Sequence, residues 1–139
     1  MPERIKFNSN TMAIMSMFGN ITKTSLKDCI ESEGKLIFIV PEGMAGKAIG
    51  KQGANIKTLE NRFKKRVRVI EYNNNLETFI ANVVYPSKIK EIQNTENVWT
   101  IVPADSYQRG ILIGRNAVNL RESESIVKRY FTIKELKVA

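Results

Sequence analysis

The apolar and polar positions of this chain follow the same order twice. In each half a short apolar run typical of a buried strand ends at a proline, at 37–40 before Pro41 and at 98–102 before Pro103. The segments that follow, 44–49 and 106–113, have the spacing of short helices. A longer helix comes next, with an apolar stripe of Ile56, Leu59 and Phe63 in the first half and Leu120, Val127 and Phe131 in the second.

Alternating strands close both halves, over 67–72 and 131–138. Upstream, the pattern predicts helices over 12–18 and 76–84 and strands over 22–30 and 87–92. Each half therefore has the order α-β-β-α-α-β, which predicts an α+β fold with a small mixed three-stranded sheet and helices on one face. The methionines of the first helix, Met12, Met15 and Met17, are interpreted as core residues.

A repeat underlies this order. Sliding the sequence by 64 residues aligns 46–71 with 110–135, and seven of these 26 positions are identical, where composition alone would give about one or two. The identical positions are Gly46, Ile49, Gly50, Asn55, Glu60, Lys64 and Glu71, which match Gly110, Ile113, Gly114, Asn119, Glu124, Lys128 and Glu135. We interpret the chain as a duplication, with one domain over 1–73 and another over 74–139. Because domains of about 65 residues are marginal alone, we expect the two to pack as one rigid unit.

Composition narrows the function. The chain has 139 residues, no histidine, one cysteine and a formal net charge of +8. This excludes the common zinc and iron–sulfur sites and catalysis by a histidine base, so we expect no metal, no cofactor and no enzymatic activity. A lone Cys29 forms no internal disulfide, which agrees with a cytoplasmic protein. The positive charge predicts a polyanionic partner, and it lies in 44–72 (+6) and 106–137 (+4), while the remainder sums to −2.

Two tetrads lie in these basic segments, each between two predicted helices. They are Gly50-Lys51-Gln52-Gly53 and Gly114-Arg115-Asn116-Ala117. Glycine lets the backbone approach a ligand closely because no Cβ intervenes. The first amides of the following helix are unsatisfied donors at its positive end, and they suit phosphate oxygens. The setting therefore predicts a phosphate-binding turn with a cation, Lys51 or Arg115, at its tip.

The segment 46–56, GKAIGKQGANI, resembles the signature of the KH domain, and the order α-β-β-α-α-β resembles the type II form of that fold. The tandem arrangement, together with KRVRVIEY at 65–72, is similar to the archaeal NusA-like transcription factors. The resemblance implies two tandem type II KH domains, in which a GxxG loop grips about four nucleotides of single-stranded RNA. It also implies a factor that acts in transcription termination or antitermination.

The tetrads and the resemblance together give the expected RNA contacts. These are Lys47, Ile49, Gly50, Lys51, Gln52, Gly53, Asn55, Ile56, Lys57 and Arg68 in the first domain, and Arg109, Ile113, Gly114, Arg115, Asn116, Ala117, Asn119 and Arg121 in the second. Ala117 stands where the pattern has a second glycine. We expect position 117 to be helical, so that alanine is tolerated, with its methyl group narrowing the approach to phosphate. The first loop is therefore expected to contribute more affinity than the second.

Other functions stay open at this point. One is an rRNA-binding factor in ribosome biogenesis or assembly, and another is a KH-fold protein-interaction scaffold. The expected partner is single-stranded RNA, either a nascent transcript or rRNA, with RNA polymerase or other transcription factors as further candidates. We expect a monomer without a membrane partner. The basic run 64–66 is either a solvated helix end, favoured by the helix dipole, or a further nucleic-acid contact.

Overall fold

The chain divides between Asn73 and Asn74 into two units. The computed structural model describes residues 9–32 and 34–139. Residues 1–8 of the predicted first domain lie outside the described residues, as does Glu33. Among the helices of the described ranges, none is both long and apolar enough to cross a membrane.

The first unit has the predicted order of elements. It consists of α1 (Ser9–Thr22), β1 (Asp28–Ser32), β2 (Lys35–Val40), α2 (Ala45–Ile49), α3 (Ala54–Phe63) and β3 (Arg66–Glu71). A single 3₁₀ turn, Lys51–Gly53, joins α2 to α3.

The second unit repeats that order. It consists of α4 (Leu76–Val84), β4 (Ile89–Thr95), β5 (Val98–Pro103), α5 (Ser106–Ile113), α6 (Val118–Lys128) and β6 (Glu135–Val138). A 3₁₀ turn, Arg115–Ala117, joins α5 to α6. The α+β class and the two small sheets predicted from the sequence are confirmed.

Each sheet has a middle strand between one antiparallel and one parallel neighbour. β2 pairs antiparallel with β1 and parallel with β3, and β5 does the same with β4 and β6. A short turn connects an antiparallel pair, but a parallel partner requires a long crossover. The helix pairs α2–α3 and α5–α6 form these crossovers, and each tetrad lies between the two helices of its crossover.

The core of the first unit is built on β2. All residues of β2 from Leu36 to Val40 are buried, which explains the unbroken apolar run in the sequence. The Phe38 ring lies 4.4 Å from that of Phe18 in α1 and 6.4 Å from that of Phe63 in α3, measured between centroids. Leu59 and Phe63 of the predicted α3 stripe belong to this cluster, so the stripe attaches the second crossover helix to the sheet.

A glutamate of the second crossover helix fixes the last strand in both units. Oε2 of Glu60 accepts a hydrogen bond from the Val67 N–H at 3.0 Å. Oε2 of Glu124 accepts one from the Leu136 N–H at the same distance. The two glutamates occupy the same position of the repeat. The hydrogen bond that each accepts from the last strand explains why both units have glutamate there.

The connection to the last strand differs between the units. Two residues separate α3 from β3, whereas six separate α6 from β6. Leu136 pairs with Trp99 on β5 as Val67 pairs with Leu36 on β2. The strand predicted over 131–138 is therefore wrong for 131–134.

The longer connection between α6 and β6 changes two assignments that the predicted repeat gave. Glu71 and Glu135 do not occupy equivalent positions, so their identity is accidental. Phe131 does not belong to the apolar stripe of α6, because that helix ends at Lys128. Its ring lies 5.6 Å from that of Phe79 in α4 and packs the inserted segment against that helix.

The strand predicted over 22–30 is wrong for 22–27. The helix α1 continues to Thr22, whose buried hydroxyl donates to the Phe18 carbonyl at 2.9 Å. Lys23 then ends the helix with a φ of 57°, and its N–H donates to the Gly19 carbonyl. The strand begins only at Asp28.

The methionines of α1 are not all core residues. Met12 is 60% exposed, so its assignment to the core is wrong. Met15 packs against the core as predicted. Met17 is half-buried, with its sulfur 4.0 Å from a guanidinium nitrogen of Arg62.

Replacing Glu60 by alanine tests the bond that fixes β3. The Val67 N–H would lose its acceptor, and hydrogen bonds to charged groups contribute about 1.5–3 kcal/mol. We therefore expect the first unit to lose about 1.5 kcal/mol of unfolding free energy and the Val67 amide to exchange faster with deuterium. Asn61→Ala, an exposed position on the same helix, is the control and should leave that exchange rate unchanged. Slow exchange in Glu60→Ala would contradict the assigned role.

Candidate nucleic-acid interface

Loop 1, residues 50–53, owes its shape to left-handed backbone conformations. Gly50 has φ 82° and ψ 166°, and Gly53 has φ 75° and ψ 19°. Gln52 between them is also left-handed, with φ 55° and ψ 28°. The Gly53 N–H donates to the Gly50 carbonyl at 3.0 Å and closes the turn. Glycine adopts these angles without steric cost, so the two glycines of the tetrad follow from the backbone.

Loop 2, residues 114–117, has the same conformation with different residues. Gly114 has φ 74° and ψ 174°, and Asn116 has φ 54° and ψ 31°. Ala117 has φ 61° and ψ 23°, which is left-handed. The prediction that position 117 is helical is therefore wrong. The Ala117 N–H donates to the Gly114 carbonyl at 3.2 Å and closes the turn. In this turn the alanine has backbone angles that glycine usually adopts.

An asparagine holds each loop in place. The side-chain amide Nδ2 of Asn55 donates to the Lys47 carbonyl at 3.1 Å, and Nδ2 of Asn119 donates to the Ile111 carbonyl at 2.8 Å. Each bond links the second crossover helix to the first. A Cβ built at Gly50 would lie 2.9 Å from the Asn55 side chain, and one built at Gly114 would lie 2.7 Å from that of Asn119. The first glycine of each tetrad and the asparagine that follows the tetrad by two residues are thus a steric pair.

Both loops present main-chain donors to solvent. The N–H groups of Lys51, Gln52, Arg115 and Asn116 have no hydrogen-bond acceptor within 9–32 and 34–139. The four side chains are exposed, and neither Lys51 nor Arg115 forms an ion pair with a described residue. Free amides in the turn before a helix, next to an exposed cation, attract an anionic oxygen. The loops can therefore bind a phosphate group.

The other residues predicted for the first unit flank loop 1, apart from Arg68. Lys47 and Lys57 are exposed, and Ile49 and Ile56 are half-buried on either side of the loop. Arg68 is half-buried in β3 and belongs neither to the loop nor to its helices.

Two of the predicted arginines of the second unit, Arg109 and Arg121, have partners within the protein. Nε of Arg109 donates to the main-chain oxygen of Ala139 at 3.0 Å. A guanidinium nitrogen of Arg121 lies 3.5 Å from a carboxylate oxygen of Glu124. The two residues are three apart on α6, and because the arginine side chain is 64% exposed the pair contributes little to stability. Ile113 is half-buried and precedes loop 2 as Ile49 precedes loop 1.

Sequence comparison gives the relationship of the chain to known proteins. The family model described as KH domain matches residues 35–81, which include loop 1 and both helices beside it. A Methanococcus vannielii protein named "Probable transcription termination protein NusA" is 30% identical over 138 residues, 97% of this chain and 80% of that protein. The chain belongs to the archaeal NusA-like family.

Further relatives of this NusA-like chain carry the same name. The protein from Halococcus morrhuae is 27% identical and aligns over 98% of this chain and 99% of its own length. The one from Methanocaldococcus jannaschii is 29% identical over 97% of this chain and 75% of its own. Among solved structures, the crystal structure of APE1850 superimposes with a TM-score of 0.75 at 28% identity, covering 96% of this chain and all of that one.

A second basic surface of this NusA-like chain lies at the other end of α3. Lys64, Lys65 and Arg66 line an open cleft together with Gly34 and Glu60. None of the three cations forms an ion pair with another described residue. Lys64 ends α3 in a left-handed conformation, with its N–H on the Glu60 carbonyl at 2.8 Å. The position agrees with a helix end that is favoured by the dipole and also with a nucleic-acid contact.

The alanine of loop 2 predicts opposite changes in unfolding free energy for substitutions in the two loops. Alanine in the left-handed region, where Ala117 lies, is strained by about 1–2 kcal/mol. We expect Ala117→Gly to raise the free energy of unfolding of the second unit by about 1 kcal/mol. The mirror substitution, Gly53→Ala, should lower that of the first unit by a similar amount. Urea titrations followed by unit-specific amide signals measure both, and a stabilising Gly53→Ala would contradict the assigned backbone.

Proposed function

We propose that the chain is a single-stranded RNA-binding factor that acts in transcription termination or antitermination through two tandem type II KH domains. The observation that carries the proposal is the pair of loops with matched left-handed backbones, free amides and exposed cations. Relatives named as transcription termination proteins support the process. The rigid packing of the two units stays a prediction from the sequence.

Recognition in this proposal begins with the RNA backbone. A phosphate oxygen accepts hydrogen bonds from the amides of Lys51 and Gln52, and the Lys51 ammonium group balances its charge. The phosphate is fixed because Asn55 fixes the loop, and adjacent bases then lie along the crossover helices. A KH domain holds about four nucleotides in this manner. The role is binding, and no side chain in it needs to transfer a proton or form a covalent bond.

The two loops are not equal in this proposal. A Cβ built at Gly53 meets no atom within 4 Å, so it would project into the open space in front of the loop. Ala117 has the same backbone angles and does carry this methyl group. In this proposal the added methyl group narrows the approach of a phosphate to loop 2. Loop 1 therefore contributes more affinity than loop 2.

Charge reversal in each loop tests the function and the ranking together. We expect Lys51→Asp with Gln52→Asp to weaken the binding of a fluorescent single-stranded RNA at least tenfold, because three units of charge change beside the phosphate. Arg115→Asp with Asn116→Asp should have a smaller effect. Lys90→Asp with Gln93→Asp makes the same charge change at exposed positions of β4 and should bind much as the unaltered chain does. A larger loss from the loop 2 pair would reverse the ranking.

The salt dependence of RNA affinity distinguishes binding to the phosphates of the RNA backbone from other modes of binding. Each phosphate neutralised on a single strand contributes about −0.7 to the slope of log affinity against log salt concentration. We expect a steep slope for the unaltered chain and a slope shallower by about 0.7 for Lys51→Gln. Fluorescence anisotropy between 50 and 200 mM salt, roughly the range in which such losses are large, measures it. A flat response would argue against phosphate contacts.

A further inference from the structure

Exposed apolar side chains are concentrated around loop 2. Five large apolar side chains of the described residues are exposed, and three of them flank this loop. Tyr107 (73% exposed) and Ile111 (41%) precede it on α5, and Val118 (58%) follows it as the first residue of α6. Tyr107 and Ile111 are four residues apart on one helix, so their side chains share a face.

The equivalent positions around loop 1 have different chemistry. In the 64-residue repeat, Tyr107 matches Gly43, Ile111 matches Lys47 and Val118 matches Ala54. The second unit thus replaces small residues and a cation by an aromatic ring and branched aliphatic side chains. The backbones of the two loops agree, so loop geometry does not require the replacement. The difference lies on the surface that a ligand of loop 2 would meet.

The surface at Gly110, between Tyr107 and the loop, is open. Gly110 lies one turn after Tyr107 in α5, and a Cβ built there meets no atom within 4 Å. Glycine inside a helix is unfavourable, and nothing in the packing of the protein requires it here. Tyr107, Gly110 and Ile111 form what we call the α5 shelf, which ends at Gly114 about 10 Å along the helix.

The charge around the α5 shelf selects the kind of ligand. Residues 106–121 include no acidic residue, and of their three arginines Arg115 forms no ion pair with a described residue. A ligand of this surface therefore combines negative charge with a flat apolar group. Single-stranded nucleic acid has both, because unstacked bases bind to aromatic side chains while phosphates bind to cations.

We propose that the α5 shelf is a nucleobase-stacking site, in which the ring of Tyr107 stacks on one base of the RNA strand whose phosphate is held by loop 2. This inference rests on the proposed RNA-binding function and adds to it a base contact that the first unit lacks. Loop 1 binds chiefly through charge and its free amides. Loop 2, which is obstructed by the Ala117 methyl group, gains affinity from stacking.

The test compares variants of Tyr107 in their binding to fluorescent ten-nucleotide oligoadenylate. Removal of an aromatic stacking partner weakens binding by roughly tenfold, which we expect for Tyr107→Ala. Tyr107→Phe keeps the ring and should bind within about twofold of the unaltered chain. Tyr85→Ala is the matched control, because Tyr85 is equally exposed at 73% in the same unit but lies at the end of α4. It should not weaken binding.

Gly110→Ala separates a ligand contact from a structural role. The added methyl group meets nothing in the protein and favours the helix, so the urea midpoint should stay the same or rise. RNA binding should nevertheless weaken, because the methyl group stands on the shelf. A loss of affinity together with a lower midpoint would count against the inference.

The outcomes distinguish the inference from the function on which it rests. If Tyr107→Ala binds RNA as tightly as the unaltered chain while the loop 2 charge reversal weakens binding, the stacking site is wrong and the function stands. In that case the apolar surface serves another ligand, such as a protein. If the unaltered chain and all variants fail to bind single-stranded RNA, the proposed function itself is wrong.

Discussion

One hydrogen bond, repeated in each unit, determines the rest of the site. Asn55 reaches from α3 to the Lys47 carbonyl of α2, and Asn119 does the same across the second crossover. The bond brings two helices together over a turn too tight for a right-handed path. It leaves no space for a Cβ at the first loop position, and the third and fourth loop residues are left-handed. The free amides lie in this turn, so the phosphate site that we propose depends on an amide that itself faces the protein.

The duplication shows which features are structural and which depend on the ligand. The loop angles, the asparagine bond and the glutamate that fixes the last strand recur in both units. The surface around the loops does not recur. Lys47 precedes loop 1, which has a second glycine. The exposed Tyr107 and Ile111 precede loop 2, which has an alanine in a left-handed conformation. The same fold therefore carries a more charged surface beside loop 1 and a more apolar surface beside loop 2.

The sequence predicts the helices and strands whose pattern is local, and it fails where a distant contact decides. The stripe of α3 and the unbroken apolar run of β2 identify their elements because burial sets their spacing. The conformation of Ala117 follows from the bond of Asn119 to Ile111, which spacing in the sequence does not show. The start of β6 depends on Glu124 and on the packing of Phe131 against Phe79, and an ungapped repeat places it too early. The side-chain amide of Asn55 donates to the Lys47 carbonyl, a bond that the sequence pattern does not show, and the RNA contact predicted for Asn55 stays a prediction.

We propose that main-chain amides of the two loops, held by the asparagines, bind phosphate groups of single-stranded RNA. A titration of the ¹⁵N-labelled chain with an RNA of about four nucleotides, the length that one KH domain holds, tests this directly through the amide resonances of every residue. We expect the largest shifts at residues 51–54, and shifts at 115–118 at higher RNA concentration. Shifts confined to other surfaces, with the loop resonances unchanged at saturation, would contradict it.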